Sequence, residues 1–417
     1  MTFPITMDGY LASIMAAESV VGCRAVLHGP GGCRTHTALL SAREALRQYA
    51  PREGPFYFGH PRVPCTYVDE EDYINGADYK VTELLDTVDD AEMCVVVSTP
   101  GTSLIGDDLH GAATRSTFPG ITIILEECHM SKPAHVGYDS TIAKMVSAVC
   151  RPMERETDVV NVLGLPILLE GWEDTADELR AYLDALSLEV GAFVGAGCAV
   201  DELVSSARAD VNVAVLPEFC AATAEAYERM GIPTICPGAP LGFDATSDWI
   251  LAVAEATGKN PGKALTMVEK IGKRASNVLA SGLNAGIMAR GATFSVKLEN
   301  SLALPLSRWL YEYLAMFPVC IESREWWDPD YRRELENFLS SIGCDDALGR
   351  EICMTRADAA FADGHTARLL EDEGMCSVGV DMGKPSPIRL RFRERPILGA
   401  KGAMRMLDDL FNGMASQ

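Results

Sequence analysis

The chain has 417 residues, 48% hydrophobic and 23% charged, a globular composition that excludes disordered, collagen-like and coiled-coil proteins. Its 36 basic and 59 acidic side chains leave a net charge of −23, a field that repels phosphate backbones and anionic lipid, so neither nucleic acid nor a membrane is an expected partner. No apolar run approaches the ~18 residues of a membrane span, and no Lys or Arg precedes Arg24 as a secretory signal requires, so the expected compartment is the cytoplasm.

In chain order, the apolar run over 24–27 predicts a strand buried on both faces. The loop His28-Gly29-Pro30-Gly31-Gly32-Cys33 and a helix over 35–49 follow it. Further strands are expected over 92–98 and 120–125. The middle alternates regularly, with strands over 159–163, 189–194, 211–216 and 234–236. Helices over 175–186, 200–207 and 221–230 lie between them. That alternation means βαβ crossovers and a parallel sheet. A connector helix over 267–288 leads to strands over 293–297 and 318–322, helices over 301–314 and 330–341, and a tail helix over 398–414. The expected fold class is α/β, with three Rossmann-like parallel-sheet domains over 1–155, 156–266 and 267–417.

In such sheets ligands sit beyond the carboxyl ends of the strands. Of the thirteen cysteines, Cys33, Cys65 and Cys128 follow extended runs in the first unit, and Cys198, Cys220 and Cys236 do so in the second. Cys23 and Cys94 fall at strand starts and read as packing residues. The closest pair, Cys344 and Cys353, is nine positions apart, so no C-x-x-C zinc ribbon or ferredoxin loop is present. Free cysteines are commonly small buried hydrophobes, and most of the thirteen are expected to be that.

The His28–Cys33 loop is the sharpest motif. Its glycines and Pro30 permit a tight turn and close backbone approach. The turn delivers the Cys33 thiol to a strand-to-helix corner beside Arg34, where a helix N-terminus and a cation favour thiolate. It is not a phosphate loop, because no G-x-x-x-x-G-K-[ST] occurs in the chain. Ser98 and Thr99 open a second, hydroxyl-rich loop that ends in Asp107 and Asp108, a pair expected to cap a helix.

These segments together resemble the nitrogenase component 1 type oxidoreductases. The resemblance rests on His28–Cys33, Asp69–Gly76, Ser98-Thr99 with Leu104–Asp108, and His135–Asp139. It continues through Val200–Leu203, Gly231–Pro233 with Pro240–Gly242, and Pro396–Gly402, in the family's order along nearly the whole chain. It implies a three-domain subunit that pairs with a related or identical subunit and holds an iron–sulfur cluster, [4Fe–4S] or P-cluster-like, at their interface. An ATP-dependent Fe protein supplies the electrons. Cys33 matches the family's cluster cysteine, and His28, Gly31, Gly32, Ser98 and Thr99 match the loops around it. The other family cluster cysteines would fall near Met7 and at Pro100, which leaves Cys65 and Cys128 as substitutes. The family's cofactor cysteine falls near Val215 or Leu216, close to Cys220, and its cofactor histidine falls at Asp381, which argues against an FeMo-type site.

The function expected from this is reduction of a small organic or tetrapyrrole substrate. The cleft is expected where Cys198, Cys220 and Cys236 meet beside Glu218, with Glu218 and Cys220 as catalytic candidates. The alternatives are a scaffold for metallocluster assembly and a binding protein for metal or a small molecule without redox chemistry.

Overall fold

The computed structural model describes residues 7–33, 63–284, 289–323, 326–383 and 394–415. The helix expected over 35–49, Arg34, and the last residues of the expected connector helix lie outside them.

Three parallel sheets carry the chain. The first is built from β1 (Cys23–His28), β2 (Met93–Ser98) and β3 (Ile121–Leu125) in the order β1-β2-β3, with Cys65 bridging to Leu27 on the free side of β1. The second contains β4 (Glu156–Leu163), β5 (Glu189–Phe193), β6 (Ala209–Ala214) and β7 (Thr234–Ile235), ordered β5-β4-β6-β7. The third contains β8 (Thr293–Val296), β9 (Phe317–Ile321), β10 (Ala357–Ala362) and β11 (Cys376–Asp381), ordered β11-β10-β8-β9. Their inner strands are short apolar runs buried on both faces, as helix-covered parallel sheets require.

The strand order fixes where a ligand can sit. From β4 the chain steps to one side for β5 and returns to the other side for β6, so the second sheet reverses between β4 and β6. The third reverses between β8 and β10 in the same way. Loops leaving these strands part at the reversal and open a crevice.

Several elements depart from the sequence expectation. The helix Gly9–Glu18 was not expected, because all ten of its residues are buried and it shows no amphipathic period. The helices Ala134–Val149 and Phe243–Thr257 were likewise not foreseen, nor were β10 and β11 with the helix Gly364–Asp372 between them. The sequence of β10, Ala-Asp-Ala-Ala-Phe-Ala, lacks the β-branched residues that mark a strand. The connector helix begins earlier than expected, at Gly262.

The helix Ala134–Val149 joins the first sheet to the second. Its Asp139 accepts hydrogen bonds from the Ala222 and Thr223 amides and the Thr223 hydroxyl at the start of the helix Ala221–Glu228. Beneath it Tyr138 donates to the Gly195 carbonyl and accepts from the Ile167 amide. The helix Gly9–Glu18 crosses it where Gly137 meets the Gly9 backbone, a gap in which no Cβ fits. The Gly9 amide also donates to the Lys132 carbonyl at 2.8 Å and ties the loop after β3, over 126–133, to this crossing.

Candidate functional site

Two features meet along that loop: a group of thiols and a cleft. Cys33 ends the short turn Gly31–Cys33 after β1, Cys65 lies beside β1, and Cys128 follows β3. Cys65 is buried and donates to the Gly29 carbonyl at 3.1 Å, while Cys33 and Cys128 are half-buried. All three act on one group, the Tyr10 phenol. Burial raises its pKa first, and the charges of Cys33, Cys128, Cys65 and Asp8 raise it further. Tyr10 is 4% exposed, and its hydroxyl has no hydrogen-bond partner among the described residues. His129, next to Cys128, adds a second buried atom without a partner, Nδ1.

The expected lowering of the Cys33 pKa is corrected here. Burial pushes this thiol up, and Cys128 moves the same way, with the Met130 amide opposing. Without a bound cation both thiols are therefore protonated at neutral pH. Cys23 and Cys94 lie buried at the starts of β1 and β2.

His28 holds the turn and is fully buried. Its Nε2 lies 2.9 Å from Asp107 Oδ2 and its Nδ1 lies 3.2 Å from Thr66 Oγ1. Burial lowers its pKa against the opposing pull of Asp107, so the ring is neutral. Asp107 also accepts from the Ala77 amide at 2.9 Å. The cap of the helix Leu109–Arg115 is Asp108 alone, accepting from Gly111, which corrects the expectation for Asp107. Ser98 pairs with His28 in register. Thr99 is buried, donates its amide to the His28 carbonyl and shares its hydroxyl with Thr102. A Cβ at Gly31 would meet the Tyr67 ring at 2.7 Å, whereas at Gly32 none of the described residues lies within 4 Å.

The cleft, about 450 Å³, opens at the reversal points of the second and third sheets. One wall is apolar, with Pro166, Leu168 and Leu169 after β4 and Phe219 after β6. The facing wall carries Lys297 and Asn300 after β8, Glu322 and Ser323 after β9, Asp363 after β10 and Met382 after β11. Lys297 pairs with Glu322 at 2.7 Å. His135 closes one end, its ring edge-on to Phe219. Met7 and Pro133 also line the cleft, and Asp8 bridges to Pro133. Cys128 and Pro133 are five positions apart, at most ~18 Å of chain, so the Cys128 thiol and the cleft are neighbours.

The four residues expected at the cleft are placed differently. Glu218 and Cys220 lie behind the wall on either side of Phe219, and neither lines the cavity. Glu218 is buried and its Oε1 accepts from the Ser301 amide at 3.0 Å and the Ser301 hydroxyl at 2.8 Å. Its Oε2 has no partner. Burial raises its pKa to about 7, against the lowering effect of Ser301. Cys220 is held well above the usual thiol range by burial and by Asp139, Cys236 and Glu218. Cys236 is exposed. Cys198 is buried in another neighbourhood, beside Cys150 and Tyr138, and its pKa is pushed up to about 12.

The polar cleft residues were missed from sequence. The signal was there: Lys297, Glu322 and Asp363 each directly follow a strand, the same position that singles out the cysteines.

Among the described residues no group of three or more His, Cys, Asp or Glu is placed to hold a metal ion. An iron–sulfur cluster poses a different demand, since its thiolates bind separate irons. Three thiols from separate loops around a buried phenol without a partner suit such a group in donor chemistry and in setting.

The sequence model of the nitrogenase component 1 type oxidoreductases matches residues 9–415. Curated relatives include a light-independent protochlorophyllide reductase subunit from Jannaschia sp. (strain CCS1), 26% identical over 63% of this chain and 49% of that protein. The corresponding reductase subunit from Acidiphilium rubrum is 28% identical over 60% and 49%. The chain thus spans about half the length of the curated relatives it matches. Among solved structures, "Nitrogenase Cp1 at pH 6.5" superposes with a TM-score of 0.78 at 14% identity, over 100% of this chain and 94% of that one. A second, "Nitrogenase Cp1 at pH 5", gives 0.64 at 16% identity over 100% and 90%. The likeness to these structures is one of fold.

Proposed function

The chain belongs to the nitrogenase component 1 type oxidoreductase family, and from that premise we propose that it is a reductase subunit acting on a small organic or tetrapyrrole substrate. The observation that carries the proposal is that Cys33, Cys65 and Cys128 lie at or beside the strands of the first sheet, and that the loop carrying Cys128 runs on to the cleft at Pro133.

In this reading Cys33, Cys65 and Cys128 hold an iron–sulfur cluster, with the remaining ligand from a related or identical subunit. When bound, the cluster supplies single electrons at low potential, delivered by an ATP-dependent Fe protein. His28, kept neutral and tied to Asp107 and Thr66, fixes the turn that presents Cys33. Phe219 and the leucines after β4 take the flat or apolar part of a substrate. Lys297, Asn300 and Asp363 orient its polar groups. Glu218 stores a proton behind the wall, where burial brings its pKa to about 7. Cys220 stands beside it as a packing thiol that shapes the wall.

Anaerobic purification with iron and sulfide analysis tests the proposal. Wild type is expected to carry both, and Cys33→Ala to lose most of its iron while its circular dichroism stays unchanged. Full iron in Cys33→Ala, with an unaltered EPR signal, rules the assignment out.

A further inference from the structure

A buried hydroxyl with no partner is costly, and natural interiors rarely leave one. Tyr10 is such a group. It projects from the helix Gly9–Glu18, whose start is pinned by the Gly9 amide bonding to the Lys132 carbonyl at 2.8 Å and by the Asp8 bridge to Pro133. The Gly9 backbone, just before it, meets His129, the neighbour of Cys128, a contact with no room for a Cβ. The hydroxyl is sealed from solvent and has no hydrogen-bond partner among the described residues. A phenol is protonated at neutral pH. It is therefore a donor in want of an acceptor, placed where three thiolates would hold sulfur-rich ligation.

We propose that Tyr10 donates a hydrogen bond to a sulfur of the cluster held by Cys33, Cys65 and Cys128, and so sets the reduction potential of that cluster. The inference rests on the cluster reading above and adds a role for a residue that is not a ligand. A donor stabilises the more negative, reduced cluster, so its presence raises the potential. Tyr10 is a tuning residue, with no bond to iron and no contact with substrate.

The test compares Tyr10→Phe with wild type in the anaerobically isolated full-length protein. Iron and sulfide content should be equal. The midpoint potential, followed by EPR during a redox titration, should fall by on the order of tenfold in the one-electron equilibrium, ~59 mV. The iron-free variant should melt at the same or a higher temperature than iron-free wild type, because the substitution removes only an unpartnered hydroxyl. A further measurement uses resonance Raman spectra of both proteins reconstituted in H2O and in D2O. The solvent-isotope shift of the iron–sulfur bands should be larger in wild type than in Tyr10→Phe. An unchanged potential at full iron content overturns the proposal, as do identical isotope shifts. Loss of iron in Tyr10→Phe also overturns it, since the phenol would then be a ligand or a structural prop. Wild type free of iron brings down the cluster reading itself, and this inference with it.

Discussion

At the thiol site the buried titratable group is an imidazole, and behind the cleft wall it is a carboxyl. Burial keeps both uncharged, yet the two answer pH with opposite sign. His28 has a lowered pKa. Below the ordinary imidazole value the unfolded chain binds the proton that the folded chain refuses, so its contribution to stability is lost as pH falls. Glu218 has a raised pKa, about 7 against 4.5. Between those values the folded chain keeps a proton that the unfolded chain has released, so stability is lost as pH rises. The thiol loop is thus an acid-sensitive region and the cleft wall a base-sensitive one. The difference follows from the chemistry of the two groups, since burial favours the neutral form, which is the deprotonated imidazole but the protonated carboxyl.

The largest effect expected of this comparison is at Glu218. Two and a half pKa units correspond to about 3 kcal/mol of stability lost between pH 4.5 and about 7. Glu218→Gln cannot ionise, so urea unfolding at several pH values should show the wild type losing ground to this variant as pH rises through that window. Parallel pH profiles for the two proteins would mean that Glu218 is already charged in the folded state.

Asp107→Asn probes the other region and should cost about 2 kcal/mol, the worth of a buried hydrogen bond to a charged group. The amide side chain cannot serve both the His28 ring and the Ala77 amide as acceptors do. Removing the carboxylate also removes the charge that supports a proton on His28, so the loss should steepen below about pH 6.5, the ordinary imidazole pKa. Hydrogen exchange of β1 and its turn, followed between pH 5 and 8, should show the change while the helix Asn300–Leu314 stays protected. An equal change in both regions would mean that they do not respond separately.

Much of the fold was legible in the sequence, because strands buried on both faces are plain apolar runs: β1, β2, β4 and β6 all lie within a few residues of expectation. The helix Gly9–Glu18 was not, since a helix buried all round has no polar face to set a period. The thiol site was partly legible, as Cys33, Cys65 and Cys128 each follow an extended run. Tyr10 was invisible, because it belongs to that unseen helix. Asp107 and Asp108 are adjacent acids, and only the path of the backbone decides that Asp108 caps while Asp107 reaches His28. The cleft was least legible. Lys297, Glu322 and Asp363 are ordinary polar residues until the order β11-β10-β8-β9 brings the ends of their strands together. A residue that follows a strand can be picked out from sequence, but which of those residues share one cleft is decided by sheet order.

The smallest effect expected is at Gly32, and it sharpens what the turn at the thiol site requires. The glycines of this loop are alike in sequence and unlike in space. A Cβ at Gly29 would lie 2.2 Å from the Thr99 side chain, whereas at Gly32 it would meet nothing within 4 Å among the described residues. Gly32 is also absent from the residues with positive φ, so an L side chain fits its backbone. Gly32→Ala should then change the stability of the iron-free protein by less than about 0.5 kcal/mol, with any shift toward stabilisation from a less flexible unfolded chain. Thermal melts of the iron-free protein measure this directly. Gly32 adjoins Cys33, so the same variant separates crowding in the chain from crowding against a bound group. Equal melting temperatures without iron, together with lower iron content after anaerobic reconstitution, would show that the space at Gly32 is kept for the cluster. Equal iron content would show that the turn needs glycine only at its crowded positions.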